Sequence, residues 1–218
     1  AQKPLSASST LSRAEGGLGL TPGVMQLLLC LAGLGCCIAM AMPQVHLVAY
    51  CGDLGYGAAR GAEMLSMMLG LGVISRTAGG FVADRFGSIF ALVFGSAMQG
   101  LALTLFLFFD SLTSLYLISA LFGLFQGGIV PNYAVIVRDY FPPDEAGRRV
   151  GIVLMATLIG MAVGGWMSGA IFDLTGSYAM AFLNGLIFNL VNLVIVVALL
   201  MRSGGVFAVY HQRSMKHI

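Results

Sequence analysis

The sequence predicts an all-α membrane fold, with six transmembrane helices arranged as two three-helix sets in inverted orientation. Three observations lead there. The 218 residues are 58% hydrophobic and only 9% charged, with a mean hydropathy of +0.92, whereas a soluble domain carries about 25% charged residues. The apolar residues fall in six long runs separated by short polar joints. A nine-residue pattern, G-x-x-x-D-x-x-G-S, closes both the second and the fifth run.

A helix needs about 20 mostly apolar residues to cross a bilayer. The runs that qualify are Val24–Tyr50, Met64–Ala83, Ser88–Phe109, Leu112–Val137, Val150–Phe172 and Tyr178–Met201. Strands of a membrane barrel alternate in polarity over about ten residues, and these runs do not. Five of them contain no Asp, Glu, Lys or Arg, and the second contains one cation, Arg76. The longest joint, Arg138–Arg149, holds Pro142 and Pro143, which stop the fourth helix. Residues 1–23 are small, polar and Gly-rich, and lack the basic start and apolar stretch of a signal peptide. They are expected to be a flexible linker in a chain that begins with Ala1 because it is processed or is a piece of a longer protein. Residues 24–201 form the bundle and 202–218 a tail.

Positive residues concentrate on the cytoplasmic side of membrane proteins. An even number of spans puts both termini on one side. That side holds Lys3, Arg13, Arg85, Arg138, Arg148, Arg149, Arg202, Arg213 and Lys216, against Arg60 alone on the other. Both termini are therefore expected in the cytoplasm, with the protein in a plasma or bacterial inner membrane. The net charge of +2 gives no sign of a nucleic-acid partner. Cys30, Cys36, Cys37 and Cys51 have neither metal-site nor disulfide-framework spacing, and no metal or cofactor is expected.

The repeated pattern reads Gly80, Asp84, Gly87 and Ser88 in one copy, and Gly169, Asp173, Gly176 and Ser177 in the other. Each copy ends the middle helix of a three-helix set, one inside and one outside. Inverted three-helix repeats build many secondary transporters. Glycine permits close helix approach, an acid can sit near a neighbouring helix N-terminus, and Gly87 or Gly176 permits the turn. Such a contact can latch a helix pair and release it. The plainer reading is that Asp and Gly commonly end helices.

The first copy, with Arg85 after Asp84, resembles the loop signature of the major facilitator superfamily, with Ser88 and Ile89 where that signature has trailing basic residues. The joint Tyr140–Gly151 and the Gly-rich fifth span are also similar to that superfamily. The resemblance covers residues 24–201 and implies helices 7–12 of a twelve-helix transporter. Ile74–Asp84 resembles most closely the monocarboxylate transporters and oxalate/formate exchangers, in which an arginine at this place binds the substrate carboxylate. It implies that Arg76 does so here. Those exchangers of dicarboxylates also use a lysine in helix 11. The fifth span has no charge between Val150 and Phe172, which favours a monocarboxylate. The resemblance implies a small organic anion as substrate, and as partners membrane lipid and the missing N-terminal six-helix half or a second copy.

Single residues divide between site and scaffold. Arg76 near mid-membrane costs about 2.5 kcal/mol or more on insertion scales. It needs an anion or a polar cavity, unless it stretches to the headgroups. Gln126, Asn132 and Tyr133 flank Pro131 in the fourth span and either line a cavity opened by the kink or bond between helices. His46, after the helix-bending Pro43, is a candidate proton carrier or an interfacial hydrogen-bonder. Gly160-x-x-x-Gly164 and Gly165-x-x-x-Gly169 read as packing seams. An intramembrane enzyme would need paired catalytic groups at depth, and the spans supply no acidic partner. Efflux of drugs or metabolites and a non-transporting membrane subunit remain as alternatives.

Overall fold

The computed structural model describes residues 18–203. Its elements are α1 (Pro22–Asp53), α2 (Ala58–Phe86), α3 (Ser88–Phe108), α4 (Leu112–Gln126), α5 (Ile129–Tyr140), α6 (Pro143–Thr175) and α7 (Tyr178–Arg202). There is no strand among the described residues. Six helical segments are long and apolar enough to cross a membrane, α4 and α5 together forming the fourth. Nearly all of the expected linker 1–23 and tail 202–218 lies outside the described residues.

Local chemistry sets the ends. Thr21 caps α1 by accepting from the Val24 N–H, and Pro22 opens the helix. Ser111 caps α4 in the same way. Two glycines in the repeated pattern close α2 and α6 at positive φ, Gly87 at 99° and Gly176 at 65°. Their N–H groups return to Ala83 and Phe172. Side chains rarely adopt that backbone, so the next helix starts at once.

Two expectations need correction. The helices outrun the apolar stretches: α2 begins at Ala58 and α6 at Pro143. The Arg138–Arg149 joint is thus mostly helical, because Pro143 at the first turn with Asp144 and Glu145 makes a favourable helix start. The fourth span is also two helices. Pro131 cannot donate to the Gly127 carbonyl four residues back and its ring crowds it, so the chain breaks at Gly127 and Gly128.

The packing repeats itself. α1 lies along α6 and α7, and α4 with α5 lies along α2 and α3, while α3 and α7 pair with each other. The first helix of each set thus packs on the second and third of the other, as an inverted repeat requires. Bare backbone makes the approach close. A Cβ on Gly160 would stand 2.5 Å from the Leu34 carbonyl, and one on Gly164 2.6 Å from Ile38 Cα. The seam expected at Gly160 and Gly164 is thus a contact of α6 with α1.

Candidate functional site

A buried polar chain holds the bundle interior. The Tyr133 hydroxyl donates to Asn192 Oδ1 at 2.9 Å, and Asn192 Nδ2 donates to Ser96 at 2.8 Å. Asn189 donates to Gln99, whose own amide donates to the Cys36 carbonyl. In hydrocarbon an unmet polar group is costly, so these bonds join α5, α7, α3 and α1. Tyr133 is fully buried in this chain and stands apart from any open surface. Of the two sequence readings of Tyr133, its position matches interhelical bonding.

Asn132 serves the helix break. Its Nδ2 donates to the Gly128 carbonyl at 2.9 Å, while the Gly128 N–H donates to Ser75 Oγ at 3.1 Å. Both polar side chains are buried and compensate backbone loosened by Pro131. Asn132 also lines a crevice shared with Ala78, Val82 and Ala91.

Arg76 is not among the residues that line this crevice. At about 100° per residue it falls roughly 160° round α2 from Ala78 and 120° from Val82. It is exposed in the bundle, and among the described residues it makes no hydrogen bond or ion pair. α2 has 29 residues, and Arg76 sits four past its midpoint, about 6 Å toward its C-terminal end. Gly80, one turn further on, is exposed and a Cβ there would meet nothing within 4 Å, so no side chain screens the guanidinium on that side.

One turn the other way, Gly72 borders the Gln126 amide. Gln126 Oε1 accepts from Gln44 Nε2 at 2.6 Å. This amide pair therefore lies beside the flank of α2 that carries Arg76. Gln44 was not foreseen, although a polar residue straight after Pro43 in an apolar span was the available signal. The structure thus joins Gln126 to Gln44, one helical turn along α2 from Arg76, and bonds Asn132 and Tyr133 to Gly128 and Asn192 instead.

His46 sits one turn beyond Pro43. Its Nε2 is 3.0 Å from the Gly165 carbonyl, so that nitrogen carries a proton and donates. Gly169 leaves room for the ring, since a Cβ there would come to 3.4 Å from Cε1. Asp173 is exposed at the end of α6 and Asp84 at the end of α2. Close to the latter, Asp139 accepts from Ser88 Oγ at 2.8 Å, placing a carboxylate at the α3 N-terminus where the helix dipole favours it.

A six-helix bundle with inverted internal repeats and, among the described residues, one unpaired cation midway along a span has the build of a secondary carrier and is an integral membrane protein. The sequence model of the Major Facilitator Superfamily matches residues 27–206, and the chain belongs to that superfamily. It is 27% identical over 143 residues to monocarboxylate transporter 13 of Rattus norvegicus, covering 65% of this chain and 33% of that protein. It is 28% identical over 145 residues to a 4-hydroxybenzoate transporter of Pseudomonas aeruginosa, covering 66% and 31%. The crystal structure of peptide transporter POT in complex with sulfate superposes with a TM-score of 0.78 at 20% identity, over 89% of this chain and 42% of that one. The aligned part of the chain spans about a third of the length of the curated relatives.

Proposed function

We propose that this chain forms one wall of a secondary carrier for a small organic monocarboxylate, with Arg76 holding the carboxylate. The observation that carries this reading is an exposed guanidinium within a span, unpaired among the described residues and one helical turn from the glycine that borders the Gln44–Gln126 amides. Its planar fork fits a carboxylate through two charge-assisted hydrogen bonds, and the amides supply neutral polar contacts for the rest of a small substrate. Relatives that carry monocarboxylates and 4-hydroxybenzoate support the same chemistry.

The second wall is a further six-helix unit. α2 and α6 leave wide faces uncovered, including Leu69 and Val73 on the Arg76 flank of the one and Met155, Leu158 and Trp166 on the other. Rocking of the two units opens the site to each side in turn. The two repeated patterns, Gly80–Gly87 and Gly169–Gly176, act at the ends of those moving helices. His46 takes and returns a proton at the outer end, so that substrate and proton cross without net charge. Both termini face the cytoplasm, in a plasma or bacterial inner membrane.

Counterflow in proteoliposomes holding the complete carrier tests the substrate class. Lactate and benzoate should exchange, while succinate and the neutral lactamide should not. Lactamide moving as fast as lactate would remove the carboxylate from the recognised features and favour a neutral cargo.

A further inference from the structure

A concavity lies beside α2, on the side of the helix that carries Ala78 and Val82 and not Arg76. It is an open crevice with a cavity volume of about 90 Å³ between α2, α3 and the α4–α5 break. Ala78 and Val82 form one wall, Ala91 and Phe94 another, and Leu124 and Phe125 the third. Its two polar side chains, Ser75 and Asn132, are both turned to the Gly128 backbone.

The crevice sits at hydrocarbon depth. On α2 its residues run from about 6 to 16 Å above the helix end at Phe86, taking 1.5 Å per residue. Water gains little there, because a bound water needs two to four polar partners. A hollow left empty loses dispersion contacts. The filling group must therefore be apolar, and the surrounding solvent offers acyl chains.

A cation stands at the crevice's end. Arg85 falls about 20° from Ala78 and 60° from Val82 round α2, so it shares their flank. Asp84 falls about 100° away. From Arg85 an aromatic ladder climbs into the crevice. The guanidinium lies 6.0 Å from the Phe86 ring, followed by Phe86–Phe90 at 5.6 Å, Phe90–Phe94 at 6.5 Å and Phe94–Phe125 at 5.5 Å. Arginine at a helix end reaches the phosphate level.

We infer that this crevice is a binding site for one phospholipid of the leaflet at the α2–α3 turn. One acyl chain lies along Phe86, Phe90 and Phe94 into the hollow, and the phosphate rests on Arg85. The site is separate from the substrate flank and stands whether or not Arg76 binds a carboxylate. A chain there fills the space beside the Gly127–Gly128 break, so lipid occupancy bears on how freely α4 and α5 bend.

The test is photolabelling of the complete carrier in nanodiscs with a phosphatidylglycerol carrying a diazirine on one acyl chain, followed by peptide mapping. Labelling at Phe94, Leu124 and Phe125 should exceed that at Leu190 and Val194, exposed on α7, by about fivefold, the factor given by roughly 1 kcal/mol of site preference. Ala91→Trp, which fills the hollow, and Leu124→Trp at its exposed rim should each remove the excess and leave the α7 signal unchanged. Arg85→Gln should lower the preference for phosphatidylglycerol over phosphatidylcholine by about threefold to fivefold, as loss of one juxtamembrane cation does. Equal labelling of α7 and the crevice would mean ordinary annular lipid and overturn the site. So would full labelling in both tryptophan variants. An unchanged headgroup preference in Arg85→Gln would overturn the phosphate contact.

Discussion

In the proposed site, Arg76 and the Gln44–Gln126 pair would divide the recognition of a substrate between charge and neutral polarity. Gln126 is buried and its amide oxygen is already engaged by Gln44. Replacing either glutamine by alanine leaves the other with one unmet amide, a cost of about 1–3 kcal/mol. Gln44→Ala and Gln126→Ala should therefore each weaken substrate affinity by about tenfold, and the double variant should lose far less than the product of the two. Competition binding on all three variants measures this coupling. Strictly multiplicative losses would show that the two amides act apart. Arg76 was legible in the sequence because a charge in an apolar run stands out against its cost. Gln44 was not, because its value comes from a partner 82 positions away. Asn132 and Tyr133 carry the same polar signal as Gln126, yet their partners are Gly128 and Asn192. Residue type alone does not say which way a helix turns its polar side chain once Pro131 has broken it.

Among the elements, α1 and α6 make the closest approach, and glycine sets the distance. Gly160→Ala should press on the Leu34 carbonyl and cost about 1–3 kcal/mol, as overpacking does. Gly147→Ala, in the same helix but with nothing within 4 Å, should stabilise by about 0.5–1 kcal/mol through helix propensity. Unfolding midpoints in mixed micelles compare the two. Equal shifts would contradict the seam. This contrast was partly legible, since Gly-x-x-x-Gly marks close helix pairs, but the identity of the facing helix was not. The six spans themselves were readable because hydrophobic length is set by the bilayer and needs no tertiary information. The helix ends were less so, since each of α2 and α6 continues past the hydrocarbon until a glycine or proline stops it. The break in the fourth span was expected as a kink at Pro131 and instead falls three to four residues earlier, where the ring crowds the backbone.

For the whole molecule, the distribution of charge carries the proposed orientation, and the uncovered surface carries the proposed second unit. Arg85, Arg138, Arg148, Arg149 and Arg202 cluster at one end, and Arg60 stands at the other. At the arginine-rich end, Arg149 binds Glu145 at 2.6 Å, covers the Phe141 ring and meets Gln26 of α1. At the opposite end, Glu63 takes Arg60 at 3.0 Å and the Tyr116 hydroxyl, tying α2 to α4. A fluorescent protein fused to the C-terminus should glow in intact cells, because it folds in the cytoplasm, and a periplasmic or external phosphatase fused there should stay inactive. The reverse pair of results would invert the topology. The inverted repeat was visible in four matched positions of the sequence, and the paired packing of α1 on α6 and α4 on α2 is its structural counterpart.

The most direct measurement is initial-rate uptake of a labelled monocarboxylate by the complete carrier with Arg76→Lys. Lysine keeps the charge and loses the planar two-pronged grip. The variant should insert and fold as before, and its kcat/KM should fall by about 10- to 100-fold, the worth of a charged hydrogen bond of roughly 1.5–3 kcal/mol. Transport undiminished in Arg76→Lys, at equal expression, would contradict the place of Arg76 in the substrate site.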